Sequence, residues 1–221
     1  MTHTLQGVDV ADLVPSLGAQ HTVSVTNNST VDGRNAVLFQ GSPGLLDSAV
    51  PIAWLARLSR PGTTVTLDWT LSYCFVMGRQ GNLHDGVDYG AAGVLDARLS
   101  RYNVAGLSYR AGNFAFRRES GSHPDGVLAV FEDDTVPGSG AYRRGCVGIG
   151  MDGRATFVAP TEPGRDLTFD PHPEYWLTLA RYAAGAVVDP AATRAVRLSF
   201  PGGKTRAHAE YNGTTWTIGY S

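Results

Sequence analysis

Six histidines, two cysteines and 20 carboxylates are the side chains on which chemistry would rest in this chain. No H-x-H, H-E-x-x-H or C-x-x-C spacing occurs, so nothing in the sequence assembles a zinc site. The strand-to-helix serine elbow G-x-S-x-G is also absent, although a serine–histidine–carboxylate set can assemble from distant positions. His84 stands beside Asp85 and His123 near Asp125, each in a polar stretch that reads as a loop. The run Glu132-Asp133-Asp134 offers hard oxygen donors of the kind calcium takes, with Asp85 or Asp88 as further ligands, and is otherwise a solvated turn.

Two glycine motifs invite a nucleotide reading. "GIGMDG", Gly148 to Gly153, has the letters G-x-G-x-x-G, but that fingerprint works only when a helix follows to hold the phosphate. Here "RATFV" follows, and Asp152-Gly153 reads as a hairpin turn. "GGKT", Gly202 to Thr205, ends like a phosphate loop, yet position 198 is leucine and the segment joins two strands.

His172 lies in "FDPHPEYWLTL", between Pro171 and Pro173. Each proline fixes its own φ and pushes the preceding residue into extended geometry. The segment therefore reads as a stiff lead-in, with strand pairing starting near Glu174. Tyr175, Leu177 and Leu179 then share one face; Trp176, Thr178 and Ala180 share the other. Both faces are largely apolar, as for a strand between two layers.

The elements that must position these groups are strands. From Thr63 to Met77 the chain alternates strictly, with Val65, Leu67, Trp69, Leu71, Tyr73, Phe75 and Met77 on one face. Such a run would extend about 50 Å, too long for one straight strand, so a bend or bulge and a share in two sheets are expected. "HTVSVTN" alternates around Val23 and Val25, "NAVLFQ" is apolar on both faces, "VLAVFED" ends in a polar loop, and "GLSYR" and "NFAFRR" flank a short turn at Ala111-Gly112. "RAVRLSF" is expected to meet "TRAHAEY" across Pro201–Lys204, and that strand to meet "TTWTIGY" across Asn212-Gly213. "PIAWLARLSR" leans to strand, with Ile52, Trp54 and Leu58 on one side; "GAAGVLDARLSR" is open between strand and helix. The fold class is all-β, an antiparallel β-sandwich or flattened barrel with little helix. Residues 1–20 form an N-terminal extension and 21–221 a single domain.

Bulk properties narrow the function. The chain of 221 residues is 43% hydrophobic and only 17% charged, against about 25% charged in typical domains. Its net charge of −2 leaves no electrostatic footprint for nucleic acid or anionic membrane, and no run is long and apolar enough to span a bilayer. The first twenty residues lack a basic start and an apolar core, which points to the cytoplasm and leaves non-classical export open. Cys74 and Cys146 sit inside strand patterns and read as two buried free thiols. Trp54, Trp69, Trp176 and Trp216 also fall in strands, where they pack the core, stack on sugar rings or anchor an interface.

"LARLSRPGTTVTLDWTLSYCFVMG", "EDDTVP" and "VGIGMDGRATFVAPTEPGRDLTFDPHPEYWLTLARYAAGAVVD" resemble segments of the RhiA-type, rhizosphere-induced bacterial proteins. The resemblance covers Asn27 to Asn212. It implies a bacterial protein of soil or plant-associated origin, under cell-density control in the family's namesake, and it brings no catalytic residue and no cofactor. The expected function is non-enzymatic, by binding a carbohydrate or protein ligand or by self-assembly into a homo-oligomer. The alternative is a small-molecule pocket, or a cyclase-like barrel enzyme of secondary metabolism, with Tyr73, His84, His172, Tyr175 and Arg181 as ligand-binding candidates.

Overall fold

The computed structural model describes residues 20–41, 48–119, 123–124, 126–171 and 174–221. The N-terminal extension up to residue 19 and His172 lie outside the described residues. In chain order the strands are β1 (Gln20–Asn27), β2 (Asn35–Gly41), β3 (Val50–Pro51), β4 (Leu55–Leu58), β5 (Thr64–Thr70), β6 (Tyr73–Gly78), β7 (Ala91–Asp96), β8 (Val104–Arg110) and β9 (Asn113–Arg118). They continue with β10 (Leu128–Glu132), β11 (Cys146–Met151), β12 (Arg154–Pro160), β13 (Asp166–Phe169), β14 (Glu174–Ala180), β15 (Val196–Leu198), β16 (Arg206–Tyr211) and β17 (Trp216–Tyr220). The helical elements among the described residues are short 3-10 turns.

Four sheets result, ordered β17-β16-β1-β5, β13-β10-β8-β9, β3-β12-β11-β6-β7 and β15-β14-β2-β4. The fold is all-β and none of the sheets closes into a barrel. Pairing is antiparallel except between β1 and β16 and between β8 and β10. The long alternating run divides as its length demands: β5 belongs to the first sheet and β6 to the third, with the break at Leu71-Ser72. There the Ser72 N–H turns back to Thr70 O (3.0 Å) and Ser72 O accepts from Asp152 N–H (2.8 Å). Across the break Leu67, Trp69, Leu71, Tyr73 and Phe75 all remain buried, so one face stays inside while the backbone changes sheet.

"PIAWLARL" makes a similar crossing. β3 pairs with β12, β4 pairs with β2, and between them Ile52 N–H donates to Thr156 O and Trp54 N–H to Leu38 O. Leu58 is half exposed, so it does not share the buried side of Trp54. The ambiguous "GAAGVLDARLSR" contains strand β7.

The main core draws Val23 and Leu67 from the first sheet, Leu107 and Leu128 from the second, Phe75 and Ile149 from the third, and Leu38 and Leu177 from the fourth. Its centre is aromatic. Trp69 packs on Tyr175 (ring centroids 5.0 Å apart), and Trp54 meets both at 5.5 and 6.3 Å. Burying a side chain of this size contributes roughly 4–6 kcal/mol before entropy is subtracted. The indole N–H of Trp54 is satisfied by Met151 O at 2.9 Å. β14 is covered on both faces, as its two apolar faces require: Tyr175 and Leu177 enter the main core, while Trp176 and Ala180 pack in a smaller cluster with Ala186 and Val188.

The glycine motif "GIG" is a packing device. Residues 146–151 pair with β12 across a bulge between Ile149 and Gly150. A Cβ on Gly148 would collide with the Phe157 carbonyl oxygen and lie 2.8 Å from the Val158 Cα. Asp152 and Gly153 both have positive φ (54° and 71°), the two left-handed residues of a tight hairpin, and no helix follows.

Two expected hairpins differ. β15 does not pair with β16; it pairs with β14, and β16 pairs with β1 and β17. The Pro201–Gly203 turn carries the chain from the fourth sheet to the first. The β16–β17 hairpin forms, but Tyr211 pairs with Trp216 and leaves a four-residue loop. Asn212 shapes that loop with its side chain, its Oδ1 accepting from the N–H groups of Thr214 and Thr215 (2.9 Å each).

Candidate functional site

Five ligand-binding candidates came from the sequence, and the structure separates them. Tyr73 and Tyr175 are buried among the core rings. Tyr73 donates to Pro171 O at 3.2 Å, and burial first, then the nearby Asp170 charge, pushes its phenol up to about 12. Burial likewise raises the Tyr175 phenol. Both are neutral packing groups with no basic role at ordinary pH. His84 is exposed on the loop after β6. Of the four candidates among the described residues, only Arg181 lines an open groove, and Asp85, next to His84, lines it too.

The acidic run disperses. Glu132 is buried, with Arg165 Nε 2.8 Å from one oxygen and the Glu162 N–H 3.1 Å from the other. Asp133 accepts from the Thr135 N–H and hydroxyl within its own turn, and Asp134 is exposed. Among the described residues no three His, Cys, Asp or Glu side chains are placed to hold a metal ion. The candidate calcium cluster is therefore an internal ion pair followed by a capped turn.

The groove has a volume of about 610 Å³ and sits where the β2–β14 ladder ends. The last register pair of that ladder is Asn35 with Ala180. Arg34 and Arg181 are the next residues beyond that pair and both line the groove, and the Asn35 side chain holds the chain there by donating to Tyr182 O at 2.8 Å. Arg194, two residues before β15, joins them in the groove wall. None of these three arginines is ion-paired among the described residues, whereas Arg144, Arg165 and Arg197 each have a glutamate. Unpaired like charges gathered on one groove are destabilising unless something neutralises them.

The β16–β17 hairpin also lines the groove, through Tyr211, Gly213 and Trp216. The rings of Tyr211 and Trp216 are 4.9 Å apart and tilted by 39°. Their polar tips are spent on backbone: the Tyr211 hydroxyl donates to Gly213 O (2.8 Å) and the Trp216 indole N–H to Arg194 O (3.4 Å). Asp85 lines the groove as well. Its Oδ1 accepts both the Tyr182 hydroxyl and the Asp189 N–H.

A second polar array lies on the exposed face of the first sheet. Ser24 Oγ is 2.8 Å from His208 Nδ1, and His208 Nε2 is 3.0 Å from Glu210 Oε1. The parallel ladder that aligns Ser24 with His208 brings together residues 184 positions apart. The order of groups is that of a catalytic relay, but the surroundings are not. β1 lies between β5 and β16, so its amides are spent on two ladders and offer no donors to an oxyanion.

Neither assembly was legible as a motif. The groove arginines come from three separate strand ends and the rings from a fourth segment. The available sequence signal was Arg181 alone, a charge just past the apolar strand β14.

Among the described residues no helix is long and apolar enough to cross a membrane. No solved structure matches the chain significantly. Protein RhiA of Rhizobium leguminosarum bv. viciae is 32% identical over 162 residues, covering 72% of this chain and 68% of that protein. The RhiA family profile matches residues 18–221, nearly the whole chain. On both grounds this chain belongs to the RhiA family.

Proposed function

We propose that the protein acts by binding and not by catalysis, and that the groove between the β2–β14 ladder end and the β16–β17 hairpin holds its ligand. One observation carries this reading: Arg34, Arg181 and Arg194 converge on one groove without a carboxylate partner. At a partly exposed site, neighbouring like charges cost on the order of 1 kcal/mol. A bound anion removes that cost and gains charge-assisted hydrogen bonds. The free, buried thiols of Cys74 and Cys146 support placing the protein in a reducing compartment such as the cytoplasm.

Thermal unfolding tests this. At constant ionic strength, millimolar citrate and phosphate are expected to raise the midpoint of the wild-type protein. The rise is expected to vanish in Arg181→Gln, a substitution at an exposed side chain. Equal shifts in the wild type and the variant would remove the groove from the explanation.

A further inference from the structure

Resting on that reading of the groove, we infer that its ligand is an acidic saccharide: a short chain of pyranose rings bearing carboxylates. Three features of the groove, taken together, select this class.

The first is the arginines. A guanidinium presents a planar fork that matches a carboxylate with two parallel hydrogen bonds. Arg34 and Arg181 emerge from opposite strands at the same ladder end, and Arg194 comes from the neighbouring strand. Cations distributed along a groove suit charges distributed along a ligand.

The second is the aromatic wall. Tyr211 and Trp216 are half-buried, and their hydroxyl and indole N–H are turned to backbone oxygens. What remains for a ligand is the apolar ring surface. The C–H face of a pyranose packs on such a surface; a bare inorganic anion gains nothing from it.

The third is Asp85. A groove built only for phosphate or polyphosphate gains nothing from a carboxylate in its wall, because like charges repel. A saccharide does gain, because its hydroxyls donate. Both bonds to Asp85 land on Oδ1, and Oδ2 accepts none among the described residues. Cations for the carboxylates, rings for the C–H faces and an acceptor for the hydroxyls thus line one groove of about 610 Å³. That volume lies within the range of roughly 300–1,000 Å³ typical of sites for organic ligands and far exceeds the size of a single ion.

Isothermal titration calorimetry with trigalacturonate, neutral galactotriose and inorganic phosphate, at one ionic strength, tests the class. Trigalacturonate is expected to bind at least tenfold tighter than either of the others. Arg181→Gln and Trp216→Ala are each expected to weaken it tenfold or more, with Trp216→Phe, which keeps a ring and the hairpin packing, restoring most of the affinity. Asp85→Asn is expected to weaken trigalacturonate and strengthen phosphate. Phosphate binding as tightly as trigalacturonate, with Trp216→Ala without effect, overturns the saccharide while leaving an anion groove. Galactotriose binding as tightly as trigalacturonate overturns the acidic class. No heat from any of the three in the wild type overturns both readings.

Discussion

The hydroxyl of Tyr182 donates to Asp85 Oδ1 at 2.5 Å, joining residues 97 positions apart. The bond ties the loop after β6 to a residue just past β14, and both residues line the groove. Burial first, and then the hydrogen bond to Asp85, pushes the Tyr182 phenol up to about 12. A raised folded value means that the contribution to stability is complete below the ordinary value of 10 and is lost as pH rises through about 12. Tyr182→Phe is expected to lower stability by about 1 kcal/mol at neutral pH, measured by urea unfolding. A second test is ultraviolet titration, in which Tyr182→Phe removes one late-ionising phenol from the wild-type curve.

Glu132 supplies a pH dependence of known sign. Desolvation raises its carboxyl from 4.5 to about 6, against the opposing pull of Arg165. Between those two values the folded protein binds more protons than the unfolded chain. The contribution is therefore complete below pH 4.5 and lost as pH rises through about 6. Glu132→Gln removes this titration. The unfolding free energy of the wild type minus that of the variant is expected to fall by roughly 2 kcal/mol between pH 4.5 and pH 7. A difference that stays flat over this range contradicts the burial of the carboxylate.

Gly148 separates a packing glycine from a phosphate-binding one. Gly148→Ala forces a methyl group against the Phe157 carbonyl and is expected to cost roughly 1–3 kcal/mol or more. Urea unfolding reads that loss directly. ATP and NAD are expected to leave the unfolding midpoint of the wild type unchanged, and a rise with either would restore the nucleotide reading.

The two thiols are expected to be inert in the native state. Burial pushes both Cys74 and Cys146 up to about 12, and neither is in a disulfide. With a chromogenic disulfide reagent at pH 8, both should react promptly in guanidinium and only on the unfolding timescale without it. Fast labelling of the native protein would show that one of the two strands opens locally.

Much of the β architecture was legible in the residues because period-two alternation is a local signal. Thr63–Met77 announced both its inner face and, through its length, its passage between two sheets. Tight turns at Ala111-Gly112 and Asp152-Gly153 were signalled by their glycines, which adopt positive φ freely. Strand partners were less legible. Nothing local in "TRAHAEY" says that it lies parallel to β1, whose residues stand more than 180 positions earlier. That missing information also led to the expected pairing of "RAVRLSF" with "TRAHAEY". The groove was hidden for the same reason: Arg34 and Arg181 fall at one ladder end only once the register of β2 on β14 is known. Arg181 could be picked out beforehand as a charge just past a buried strand, but its neighbours could not.

The placement of a ligand tests the central claim most directly. In a crystal of the protein soaked with trigalacturonate, a saccharide ring is expected against Trp216 and Tyr211, with carboxylate oxygens about 2.7–2.9 Å from guanidinium nitrogens of Arg181 and Arg34. Saccharide bound on another face, or a groove left empty at saturating ligand, would contradict it.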